Sequence, residues 1–145
     1  MKQKHFIDSH KGITLPVIFA LIVYFSQWEN MTAWIYLALH GSYGFMWIAK
    51  SRIFPDKTWE ETCSIWYGLY IWVGLTLYWV SPWIIISNGI THQPIFLFFF
   101  IFMYAIGIFL HYASDMQKYT HLKLNPGELI MDGFMYKCRN INYFG

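Results

Sequence analysis

The densest chemistry in the chain lies toward its C-terminal end. His111, Asp115 and Tyr119 recur every four residues, so a helix here presents an imidazole, a carboxylate and a phenol on one face. Lys118 follows Asp115 by one turn, and Arg139, Asn140, Asn142 and Tyr143 crowd together after an Asn125-Pro126-Gly127 turn signal. Arginine grips phosphate bidentately and lysine supplies a point charge. A mouth lined by Lys118, Lys123 and Arg139 therefore suits a phosphate-bearing cofactor. The competing reading is a solvated helix whose cations meet anionic lipid heads. Farther upstream, His40, Tyr43 and Trp47 share one helical face within an apolar run, with Ser42 beside them. Ionisable groups in such a run face a cavity or a partner. His40 and Tyr43 are thus the candidate catalytic pair, against the alternative of a hydrogen-bonded histidine that serves packing alone.

The elements that must carry these groups are membrane-like. The chain is 57% hydrophobic and 12% charged, too few charges to build the polar shell of a water-soluble domain. Aromatic residues make up 22%, a bias suited to lipid contact and interfacial belts. A net charge of +2 without a basic tract points to no nucleic-acid partner. Cys63 and Cys138 fit neither a metal site nor a disulfide framework. Apolar blocks run from about Ile13 to Trp28, Thr32 to Ala49, Cys63 to Val80 (reaching toward Ile86) and Pro94 to Tyr112. Each approaches the ~20 residues that cross a hydrocarbon core. The first has no small-residue cleavage site after it and reads as a span rather than a signal peptide.

All ten Lys and Arg residues fall before the first block, between the second and third, or after the fourth. The positive-inside rule then gives an all-α polytopic membrane protein with four spans and both termini cytosolic. Asn30-Met31-Thr32 matches a glycosylation acceptor but lies too close to the membrane to be used. Asp56 to Glu61 reads as a capped, acidic first turn of the third helix. From His111 to Leu124 the helical spacing continues with polar residues, so the fourth helix extends into the cytosol before the Asn-Pro-Gly turn, and Gly133 loosens the segment before Tyr136. The division is a transmembrane region over 1–112 and the start of a cytosolic cofactor-binding region over 113–145.

The stretch from His111 to Gly145 resembles the C-terminal domain of the steroid 5α-reductase family. Ser114-Asp115, Asn125-Pro126-Gly127-Glu128, Gly133-Phe134 with Tyr136, and Asn142-Tyr143-Phe144-Gly145 follow the family's motif order. The resemblance covers about a quarter of the chain. It implies a membrane-embedded oxidoreductase that takes hydride from NADPH and reduces a carbon–carbon double bond of a lipid-like or steroid-like substrate. By motif position Asp115 and Asn142 bind the cofactor and Tyr143 packs beside them; Arg139 and Lys118 join the cofactor-binding set by charge and His111 by its place on the Asp115 face. His111 stands where the family has Asn, Gly41 stands where the family's proton-donor Tyr follows its His, and no Gln-Pro-Glu-Glu segment is present. The chain stops at Gly145, one residue before the Glu that completes the motif, so a fragment is expected. Arg139-Asn140-Ile141-Asn142-Tyr143 is also similar to the Arg-[His/Asn]-Pro-x-Tyr motif of isoprenylcysteine and phospholipid methyltransferases, which use S-adenosylmethionine. The lysines favour the nicotinamide phosphate, and a non-catalytic membrane scaffold is the third expectation. The topology suits an endoplasmic reticulum membrane in a eukaryote and an inner membrane in a bacterium.

Overall fold

Short polar residues start the helices where the apolar blocks begin. Asn30 accepts a hydrogen bond from the Ala33 amide at 3.2 Å, and Ser64 accepts one from the Tyr67 amide at 3.2 Å. The computed structural model describes residues 1–144. Its helices are α1 (Gln3–Tyr24), α2 (Met31–Ile53), α3 (Ile65–Thr76), α4 (Val80–Ser87), α5 (Pro94–Leu124), α6 (Gly133–Lys137) and α7 (Ile141–Phe144). Among the described residues the only strand-like pairing is an isolated bridge between Lys2 and Thr62.

Among the described residues three stretches are long and apolar enough to cross a membrane: α1, Ile65–Ser87 and α5. The middle one is not a single α-helix, because a 3-10 turn at Leu77–Trp79 separates α3 from α4. Helix α2 is as long, 23 residues, but carries His40, Ser42, Lys50, Ser51 and Arg52. It packs against α1, α4 and α5, so protein rather than lipid covers much of its polar surface.

Helix α1 begins ten residues before the expected start at Ile13 and ends at Tyr24. The reason is its buried face: Gln3, Ile7, His10, Thr14, Ile18 and Ile22 recur at helical spacing. Half of that face is polar, so hydropathy underrates it. Ile18 and Ile22 of that face join Ala33, Leu37 and Ile86 in the core shared by α1, α2 and α4. Helix α5 buries only Leu97, Ser114 and Asp115, while Phe96, Phe98, Phe99 and Phe102 point outward. Such a face suits hydrocarbon, not water.

Helices α1 and α2 approach closely at two glycines. A Cβ at Gly44 would lie 2.5 Å from the Lys11 carbonyl oxygen, and one at Gly41 2.7 Å from Leu15 Cδ1. This gives Gly41 a packing reason of its own.

The expected first turn at Asp56–Glu61 is a separate feature. Asp56 caps a 3-10 turn over Lys57–Glu60, and α3 starts later under its own cap at Ser64. The N-terminus is fastened to this connection. The Cys63 amide donates to the Met1 carbonyl at 2.8 Å and the Gln3 amide to the Glu61 carbonyl at 3.0 Å. Lys2 and Lys4 both bind the Glu60 carboxylate. Those two ammonium groups, Lys2 foremost, hold the Glu60 carboxyl below the usual carboxylate range.

Candidate functional site

The site forms where the basic ends of α2 and α5 meet. The helix through His111 runs unbroken to Leu124, and Gly127 then takes φ +89°, which only glycine adopts without strain. That turn sends the chain back along α5. Gln117 holds the return: its Nε2 donates to the Asp132 carbonyl at 2.9 Å, and its Oε1 accepts from the Phe134 amide at 3.0 Å. Helix α6 therefore starts beside α5, and α7 packs on it too.

At the centre Lys50 and Asp115 form an ion pair, their side chains 7% and 5% exposed. The Lys50 ammonium also lies 4.9 Å from the centre of the Trp47 ring. His111 completes the cluster. Its Nδ1 is 2.9 Å from the Asn142 carbonyl oxygen, so this nitrogen carries the donated proton, and its Nε2 is 3.6 Å from Asp115 Oδ2. Ser114, fully buried, donates to the Leu110 carbonyl at 2.6 Å.

This pair sits in the wall of a cavity of about 650 Å³ with Lys57, Lys118, Lys123 and Tyr119. The size falls within the range of small-molecule and cofactor sites. Three carboxylates also line it, and each has a cation at hand. Asp115 holds Lys50, Asp56 is 3.9 Å from Lys118, and Glu60 is taken by Lys2 and Lys4 from outside the wall. Among the described residues Lys57 and Lys123 make no ion pair, which leaves the cavity positive. A second cavity of about 300 Å³ has Lys118, Arg139, Asn142 and Tyr143 in its wall, against Leu122 and Met135. Lys118 belongs to both.

The six residues expected to bind a cofactor are thus gathered around one stretch of α5. Asp115 and Lys118 line the first cavity, Lys118, Arg139, Asn142 and Tyr143 the second, and His111 bridges Asp115 to the backbone at Asn142. Gly145, the last residue of the Asn-Tyr-Phe-Gly match, lies outside the described residues. The candidate catalytic pair is less united. His40 turns to Tyr36, stacking at 4.0 Å with Nδ1 3.3 Å from the Tyr36 carbonyl oxygen. Tyr43 instead sits 6.3 Å from His111 and 6.1 Å from Trp47, ring centre to ring centre. Neither is in the wall of the two cavities.

Pattern in the sequence gives Lys50 and Lys11 a role in topology alone and Asp56 a role only as a helix cap, and it assigns none to Gln117 or His10. His10 is 1% exposed, stacked on Trp79 at 4.6 Å and edge-on to Trp72 at 5.3 Å. A signal for Lys50 existed: it directly follows an apolar run, where a lysine must snorkel or find an acid. No family model, no curated protein and no solved structure matches this chain.

Proposed function

We propose that the chain is a membrane-embedded oxidoreductase that uses NADPH to reduce a carbon–carbon double bond of a lipid-like or steroid-like substrate. The observation that carries this reading is the positive cavity over the Lys50–Asp115 pair, joined through Lys118 to the Arg139 and Asn142 cavity. A dinucleotide phosphate needs several cations around separated phosphates, and this mouth offers ammonium groups on one side and a guanidinium on the other. Lys118, Lys123 and Arg139 bind the phosphates, Tyr119 or Tyr143 stacks a ring, and His111 holds the tail against Asp115. Tyr43, on the membrane side of His111, is better placed than His40 to meet a substrate beside the cofactor.

The accompanying topology has four spans, α2 among them, with both termini cytosolic. The cofactor mouth then faces the cytosol and the substrate enters from the bilayer. The membrane is that of the endoplasmic reticulum or a bacterial inner membrane. The test is calorimetric titration of the protein in neutral detergent with NADPH and with S-adenosylmethionine. NADPH binding that weakens about ten- to a hundred-fold in Lys118→Ala and in Arg139→Ala supports the reading, since one charge-assisted contact contributes about 1.5–3 kcal/mol. Binding of S-adenosylmethionine alone moves the protein to the methyltransferases. Binding of neither leaves a non-catalytic membrane protein.

A further inference from the structure

Lys11 projects from α1 into the bundle and makes no ion pair among the described residues. Its ammonium instead lies among three aromatic rings: 4.8 Å from the centre of Tyr43, 4.9 Å from Tyr78 and 5.7 Å from Trp47. The nearest acid along the helix, Asp8, is turned away and accepts from Ser51 Oγ at 2.8 Å. Lys11 sits three residues beyond Asp8, about 4.5 Å farther from the basic end at 1.5 Å per residue. It is therefore set deeper than the lysine cluster of the cavity. Ring faces attract the cation but accept no ordinary hydrogen bond, so three strong N–H donors are left with no anion at ion-pair distance among the described residues.

The surroundings describe what an anion there would be attached to. Leu15 and Phe19 follow Lys11 on the same face of α1, at successive spacings of four, and both are open, 47% and 42% exposed. Tyr78, on the 3-10 turn that interrupts the third apolar block, is 60% exposed beside the ammonium. A polar contact at the head of an open apolar track matches an amphiphile with one small anionic head and one chain. A phosphodiester head is bulkier and meets the lysines one turn nearer the basic end.

We infer that Lys11, with Tyr43, Trp47 and Tyr78 around it, is a binding site for the carboxylate of a long-chain, fatty-acid-like amphiphile whose chain lies along Leu15 and Phe19. The ammonium forms a charge-assisted hydrogen bond to the carboxylate, and the rings exclude water from it. This site stands independently of any cofactor, and NADPH binding is not needed for its test.

Dibrominated stearate quenches tryptophan fluorescence on contact and serves as the probe, with the full chain in phosphatidylcholine nanodiscs. The expected result is saturable quenching by the acid, weakened about ten-fold in Lys11→Met and kept within a few-fold in Lys11→Arg. The methyl ester of the same chain binds at least as weakly as the acid does to Lys11→Met. Equal quenching by acid and ester, or an unchanged affinity in a folded Lys11→Met, overturns the inference. Should Lys11→Met fail to fold, the acid and ester comparison on the unaltered chain decides it. Tighter, Lys11-dependent quenching by a brominated phosphatidylglycerol would overturn the carboxylate assignment in favour of a phospholipid head.

Discussion

Asp115 stands both in the proposed cofactor site and in a buried ion pair, and the two roles are separable. Asp115→Ala leaves the Lys50 ammonium, 7% exposed, with only the Trp47 face at 4.9 Å to offset its desolvation. Removing one partner of a buried pair costs about 3–5 kcal/mol, whereas replacing both by apolar residues of similar volume is often neutral or stabilising. His111 Nε2, 3.6 Å from the carboxylate, is too weak a substitute to change that order. Asp115→Ala should therefore lose about 3–5 kcal/mol, a large part of the ~5–15 kcal/mol typical of a folded domain. The combination Lys50→Met with Asp115→Leu should be more stable than either single variant. Equilibrium unfolding in mixed dodecyl sulfate micelles, followed by helicity and tryptophan fluorescence, measures all four proteins of the cycle. A single-variant loss below about 1 kcal/mol, or a double variant as unstable as the summed singles, refutes the reasoning. If the double variant folds, its titration with NADPH then reports contact with the ligand rather than loss of structure.

Gly44→Ala places a methyl 2.5 Å from the Lys11 backbone oxygen, which has no side-chain freedom to yield. Unfolding should show a loss of about 1–3 kcal/mol, while Gly74→Ala, whose Cβ meets nothing within 4 Å, should not. Gln117→Ala removes three hydrogen bonds that anchor α6, so hydrogen exchange at Phe134 should accelerate by about ten-fold while α5 stays protected. The Glu60 clamp should be pH-sensitive. Its folded-state pKa is depressed, so its contribution is complete above the ordinary carboxylate range and is lost as pH falls through the lowered value. The protection factors of the Gln3 and Cys63 amides, referred to the slower intrinsic exchange in acid, should fall on acidification, and Glu60→Gln should abolish that response.

What the sequence disclosed was set by how strongly each feature is written in local pattern. The second and fourth apolar blocks and the stop at Asn125-Pro126-Gly127 are local, and α2 and α5 begin or end there. The early start of α1 was hidden because Gln3, His10 and Thr14 occupy buried positions that apolar periodicity does not count. The break between α3 and α4 was hidden for the opposite reason: Leu77, Tyr78 and Trp79 are as apolar as their neighbours. At the site, spacing alone put His111, Asp115 and Lys118 on neighbouring faces of one helix. Pairing of Lys50 with Asp115 spans 65 residues, and such a contact depends on how two helices cross. Tyr43 and His40 were read as one face, but His40 stacks on its own helix at Tyr36 and leaves Tyr43 to α5 and Lys11.

The lower apolarity of α2 bears on how the chain is made. On the proposed topology, a segment holding His40, two glycines and Lys50 gains little by leaving the translocon alone, since a lysine deep in the bilayer costs about 2.5–3.5 kcal/mol on insertion scales. Only six residues separate α1 from α2, and the glycine contacts let the two backbones meet at once. The natural unit of insertion is thus the α1–α2 hairpin, with Lys50 remaining at the membrane surface as a waiting cation until α5 emerges. Synthesis of Asp115 then closes the pair, so α5 locks α2 only after α3 and α4 have left the ribosome.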